Sequence, residues 1–120
     1  MGDGGLGTVY RSGEVIVREG EPGNCMYVVQ AGQVEVVRDE GGRERRLGVI
    51  GEASFFGEMA IFETETRSAT VRALGDVRVL TIDKKTVLRR IKEDPLLALN
   101  LLKTLSARLR QAHSAPGEVR

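Results

Sequence analysis

The stretch Phe56-Gly57-Glu58-Met59-Ala60-Ile61, followed after a short loop by Arg67-Ser68-Ala69-Thr70-Val71, decides how this chain is read. It brings together a glycine-led helical turn, one carboxylate and one guanidinium. Gly57 has no Cβ, so backbone and ligand can approach closely there. The amides that open a short helix lack intrahelical partners and suit an anion. Arg67 offers forked, charge-assisted hydrogen bonds to phosphate oxygens. Ionised Glu58 only accepts, which fits hydroxyl donors such as those of a ribose. Taken singly, these residues have plainer readings. Glu58 sits well near the positive end of a helix dipole, and Arg67 serves equally as a surface residue or as the structural partner of Glu58. Taken together, they point to a small phosphorylated sugar.

Around this stretch, from Tyr10 to Ile82, short β segments are punctuated by glycine, the pattern of a roll or barrel. Val15-Ile16-Val17, Met26-Tyr27-Val28-Val29 and Val34-Glu35-Val36-Val37 are rich in β-branched residues, with turns expected at Glu21-Pro22-Gly23 and Ala31-Gly32. Asp39-Glu40-Gly41-Gly42-Arg43 reads as a hairpin tip before Arg46-Leu47-Gly48-Val49-Ile50. Ala69 to Ala73 and Val77 to Ile82 are expected as the last strands. Cys25, on a predicted strand, is expected to be a small buried side chain.

Past Ile82 the period changes. Asp83 is placed to cap a helix over 84–93, and Asp94-Pro95 is a second start signal, since proline suits the first helical position. The second helix is expected over 95–112. At about 100° per residue, Leu97, Ala98, Leu101, Leu102, Leu105 and Leu109 form one apolar stripe roughly 140° wide, with Leu96 and Leu99 outside it. Apolar residues on more than one side predict burial against the β region and against a second subunit. Lys84, Lys85, Arg89, Arg90 and Lys92 make the first helix basic, which a solvated face explains.

A length of 120 residues predicts a single domain. Its 41% hydrophobic content supports a core, and a formal net charge of +1 gives no global field favouring nucleic acid or membrane. No apolar run reaches the length of a membrane span, and no secretory signal opens the chain. One cysteine cannot close an internal disulfide, which agrees with a reducing compartment, so a cytoplasmic location is expected.

The residues quoted above closely resemble the phosphate-binding cassette of cyclic nucleotide-binding domains, as in bacterial catabolite activator proteins, nucleotide-gated channels and protein kinase A regulatory subunits. The family pattern is roughly F-G-E-[LM]-A-L, a variable loop, then P-R-[AST]-A-T-V. The departure is Thr66, where many members carry proline. A second block, Gly13 to Gly23 with Gly32 and Gly51, also resembles the family, so the likeness covers roughly residues 12 to 110. It implies a mainly β fold with terminal helices: a β-roll (double-stranded β-helix, jelly-roll-like) over 8–82, a cassette over 56–71 with a short helix, and two C-terminal α-helices. Residues 1–7 and 113–120 are expected to be loose tails.

The resemblance also implies roles. Arg67 would neutralise a cyclic phosphate and Glu58 would accept from the ribose 2′-hydroxyl. The amides of Gly57, Met59 and Ala60 would meet sugar and phosphate oxygens, Ser68 would add its amide and hydroxyl, and Val71 belongs to the same ligand-binding set. Cyclic AMP is the expected ligand, with cyclic GMP kept open because a serine at position 68 can donate to a guanine edge. His113 and Ser114 align with the pair that covers the purine in bacterial members, although a frayed tail beside Pro116 is the plainer reading of them. The expected function is a non-catalytic sensor that works through movement of the terminal helices, with a homodimer or partner protein at the last helix and no nucleic acid or membrane. The alternative is an interaction module of the same fold that has lost the nucleotide.

Other chemistries lack their parts. The only histidine is His113, so an inward-facing histidine set for a metal is missing, as is a nucleophile–histidine pair in the β region. One cysteine cannot supply an iron–sulfur cluster. A DNA-binding regulator would need a helix-turn-helix after the last helix, and the sequence stops at Arg120. A stand-alone sensing subunit or a piece of something longer is therefore expected.

Overall fold

Two long strands organise the β region. In the computed structural model, which describes residues 7–62 and 66–113, β3 (Cys25–Glu40) runs antiparallel to β6 (Thr70–Asp83), from Cys25 opposite Asp83 to Val37 opposite Thr70. The remaining strands are β1 (Thr8–Tyr10), β2 (Val15–Val17), β4 (Arg43–Ile50) and β5 (Phe55–Phe56). β1 pairs with Val77–Val79 of β6, and β5 pairs with Tyr27–Val28 of β3. At the other end, β2 pairs near Val71–Arg72 of β6, and β4 pairs with Val34–Glu40 of β3. The long pair thus belongs to two half-sheets, β1–β6–β3–β5 and β2–β6–β3–β4, which is how a roll forms from few strands.

The expected turn at Ala31-Gly32 is not a turn. β3 passes through it, and the register shifts between Val29 and Gln33 instead, as at a β-bulge. Gly32 takes φ +91°, and a Cβ there would stand 2.5 Å from the Asp76 carbonyl oxygen. β6 likewise continues through Gly75, at φ +75°, rather than breaking into two strands. Glycine signals in the sequence therefore mark irregularities inside continuous strands, and only at Gly32 do β3 and β6 approach too closely for a side chain. A bend and a turn share a local signature, and only the partner strand distinguishes them.

Val17, Val29, Val34, Phe56, Val71, Ala73, Val77 and Val79 form one contiguous core. Val29, Val34 and Val79 are fully buried, each worth about 1.5–3 kcal/mol relative to exposure. α1 (Met59–Phe62) is a single turn that buries Ala60 and Ile61 and leaves Met59 exposed.

The helical unit comprises α2 (Lys84–Glu93) and α3 (Pro95–His113). Asp94 separates them with complementary bonds: its amide donates to the Arg90 carbonyl at 2.8 Å, and its side-chain oxygen accepts the Leu96 amide at 3.1 Å. That is an N-cap with Pro95 at the first helical position, where a missing N–H costs nothing. Val87 and Leu101 are buried. Leu102, placed on the apolar stripe by periodicity, is 63% exposed, close to the 66% of Leu96 off the stripe. It sits at the stripe's edge, about 100° from buried Leu101. Among the described residues no helix is long and apolar enough to cross a membrane.

Candidate functional site

Arg67 is anchored before its side chain begins. Its amide donates to the Glu21 carbonyl and its carbonyl accepts from the Gly20 amide, both at 2.8 Å, and Thr66 bridges to Pro22 beside them. The Gly20–Pro22 segment, part of the second block that resembles the family, is thus the fixed platform for the cassette arginine.

The guanidinium then reaches back across the roll. Nη1 donates to the Gly57 carbonyl at 3.0 Å and Nη2 to the Cys25 carbonyl at 3.0 Å, with the Cys25 sulfur at 3.7 Å from Nη2. Arg67 Cζ lies 5.7 Å from the Tyr27 ring centroid, within cation–π range. Tyr27 pairs with Phe56 across β3 and β5, and their rings stack at 4.9 Å with 14° between planes. Burial, followed by the hydrogen bond with the Cys25 thiol at 3.4 Å, pushes the Tyr27 hydroxyl up to about 12. Tyr27 therefore stays neutral in the physiological range.

Gly57 is required here for two reasons. Its φ is +77°, a region that costs an L-residue about 1–2 kcal/mol. A Cβ would also stand 2.9 Å from Arg67 Nη1 and 3.2 Å from the Tyr27 ring. The close approach that the glycine allows is that of the arginine, where the sequence reading expected a ligand. Gly23 has the same property: a Cβ there would lie 2.1 Å from Arg67 Nε.

The structure thus brings Gly57 and Arg67 into direct contact. Glu58 follows Gly57 and is half-buried, and its carbonyl accepts the Ile61 amide at 2.9 Å. Of the three amides expected to meet a ligand, that of Ala60 donates to the Gly57 carbonyl at 3.2 Å. Ser68 is exposed, with its carbonyl accepting from Arg38 Nε at 3.2 Å, and Val71 is buried in the core. Ser114 lies outside the described residues, as does the side chain of His113. Cys25 is half-buried and hydrogen-bonded rather than a closed core residue.

A cavity of about 230 Å³ lies between Ile16–Arg18, the Glu21–Cys25 segment and Tyr27, with Arg67 in its wall. Sequence reasoning did not identify Cys25, Tyr27 or Gly23 as part of the site. Gly23 carried a signal in the Glu21-Pro22-Gly23 turn, whereas the two strand residues carried none. Among the described residues, no cluster of histidine, cysteine, aspartate or glutamate could hold a metal ion.

The family model of the cyclic nucleotide-binding domain matches residues 8–94, which include the cassette, Gly23, Cys25, Tyr27 and Arg67 but not His113 or Ser114. The chain belongs to the cyclic nucleotide-binding domain family. This cyclic nucleotide-binding domain is 36% identical over 105 residues to the cyclic AMP receptor protein of Thermus thermophilus, covering 87% of this chain and 49% of that protein. It is 35% identical over 81 residues to a cAMP-dependent protein kinase regulatory subunit of Blastocladiella emersonii, covering 67% of this chain and 20% of the subunit. Its fold matches the crystal structure of the Thermus thermophilus catabolite activator protein with a TM-score of 0.80 at 36% identity, covering 88% of this chain and 50% of that one. The domain therefore spans about half, or less, of these relatives' lengths. The mainly β roll with terminal helices expected from the sequence is the fold they share.

Proposed function

We propose that this domain is a non-catalytic sensor of cyclic AMP, with Arg67 as the phosphate ligand and Glu58 as the acceptor for the ribose hydroxyl. The observation that carries the proposal is how Arg67 is held. Its guanidinium donates to the neutral carbonyls of Gly57 and Cys25. These fix the guanidinium without cancelling its charge, and a charge held in that way is prepared for a phosphate. Glu58 follows the glycine that holds it, which supports its proposed role as the hydroxyl acceptor. Gly57, Met59 and Ala60 frame the sugar in this scheme, and Ser68 and Val71 complete it from the β6 side. The Ala60 amide would exchange its long bond to Gly57 for one to the ligand. His113 and Ser114 are proposed to cover the purine.

Cyclic AMP is favoured over cyclic GMP because the cyclic AMP receptor protein and the cAMP-dependent kinase subunit are the relatives described above. Occupancy would be read out through the terminal helices, which requires ligand affinity to differ between two helix positions. A second copy or a partner protein is proposed to engage α3, where Leu96, Leu99 and Leu102 are exposed.

Isothermal titration with cyclic AMP and cyclic GMP in parallel tests this, with Arg67→Ala as control. Micromolar binding of cyclic AMP that the substitution abolishes is the expected result. Flat heats for both nucleotides, from folded and nucleotide-free protein, would leave the interaction module as the function.

A further inference from the structure

Much of what holds the Arg67 guanidinium lies outside the cassette. The Tyr27 ring sits 5.7 Å from Cζ, and this ring is itself fixed by stacking on buried Phe56. The Tyr27 hydroxyl is tied to the thiol of Cys25, whose carbonyl takes Arg67 Nη2. Gly23 leaves room where a Cβ would collide with Nε, Cζ and Nη2 at 2.1–2.4 Å. Ring, carbonyl and missing Cβ form a socket built from the Glu21–Tyr27 segment, separate from the glycine-led turn.

An arginine side chain gives up rotamer entropy when it is fixed. If fixing occurs in the folded protein, less is lost when a phosphate arrives. We infer that Tyr27 is a positioning residue for Arg67, and that Tyr27 and Gly23 together set phosphate affinity by pre-ordering the guanidinium. The consequence for affinity rests on the proposed nucleotide function; the ordering is a property of the free domain. The ring rather than the hydroxyl does the positioning, because the ring is what faces the guanidinium.

The test uses the full chain and two readouts. The first is the Nε–H resonance of Arg67 in the absence of nucleotide, assigned by its loss in Arg67→Lys. A guanidinium held beside an aromatic ring gives a signal displaced from the free-arginine position. Wild type and Tyr27→Phe should share that displacement, and Tyr27→Leu and Gly23→Ala should lose it. The second readout is cyclic AMP affinity. Tyr27→Leu should weaken it by about 3–10-fold, within the range of one cation–π contact, and Tyr27→Phe should stay within about twofold of wild type. Gly23→Ala should weaken it while the fold survives, since the atoms it meets are the far end of a flexible side chain.

An unmoved Nε signal in Tyr27→Leu, or Tyr27→Phe falling as far as Tyr27→Leu, would overturn the inference. If wild type binds neither nucleotide, the proposed function fails while the Nε signal still decides the positioning. If Tyr27→Leu does not fold, the remaining pair decides: Tyr27→Phe has to keep the displaced signal and Gly23→Ala has to lose it.

Discussion

Arg67 and Arg72 lie close in sequence, and the molecule treats them in opposite ways. Arg67 is bound by backbone carbonyls and set beside an aromatic ring. Arg72 is bracketed by carboxylates: Nε donates to Glu35 at 2.6 Å, and Nη1 and Nη2 donate to Glu44 at 2.9 and 2.7 Å. Arg46 completes the network at 2.9 Å from Glu35. The Glu44 and Glu35 bonds push Arg72 above the usual guanidinium range, and Arg72, then Arg46, hold Glu35 below the usual carboxylate range. Neutral acceptors orient a cation and leave its charge available, whereas carboxylates orient it and cancel its charge. The first arrangement suits an anionic ligand; the second ties β3, β4 and β6 together.

Exchanging the two roles is the most direct way to break this contrast. Arg67→Ala should reduce cyclic AMP affinity about 100-fold or more, since each charge-assisted bond is worth about 1.5–3 kcal/mol, with a smaller shift of the urea midpoint than Arg72→Ala gives. Arg72→Ala should do the reverse, lowering unfolding free energy by about 1–3 kcal/mol because Glu35, only 13% exposed, loses its main partner. Its affinity, measured where the protein is folded, should hold. A midpoint shift in the first variant larger than in the second would collapse the distinction.

Two glycines sharpen the contrast at the backbone level. Gly57 and Gly75 have nearly equal φ, +77° and +75°, yet a Cβ at Gly75 meets nothing within 4 Å. Both substitutions to alanine should cost about 1–2 kcal/mol of stability in chemical denaturation. Only Gly57→Ala should also weaken nucleotide binding, by about tenfold, because it displaces Nη1.

The smallest effect is pH-dependent. Glu35 titrates below its ordinary value of 4.5 in the folded state, so its contribution is present above that pH and lost as pH falls through the lower folded value. Wild type should exceed Glu35→Gln by about 1 kcal/mol at neutral pH, and the two denaturation curves should converge in acid. A gap that persists at low pH would assign the difference to packing.

The legible parts of this protein are those where neighbouring residues carry the physics. β-branched runs, the Asp94-Pro95 helix start and the glycine-led turn with Arg67 are all local signals, and the structure has elements at each. Gly32 and Gly75 were legible as irregularities but misread in kind. Leu102 is exposed in the single chain, because periodicity places a residue on a face without saying what covers it. Cys25 and Tyr27 were illegible as site residues: Cys25 sits 42 positions from Arg67, and it acts through its carbonyl, which every residue possesses.

By itself, the sequence determined the family, the mainly β roll with terminal helices and the charged pair Glu58 and Arg67, because these depend on side-chain chemistry at fixed spacing. Only the tertiary structure decided which way the guanidinium turns and that, among the described residues, Arg67 bonds backbone carbonyls where Arg72 bonds carboxylates. Those outcomes depend on distance between segments: the backbone bonds of Arg67 to Gly20 and Glu21, and the pairing of β3 with β5, set the Cys25 carbonyl and the Tyr27 ring where Arg67 can use them.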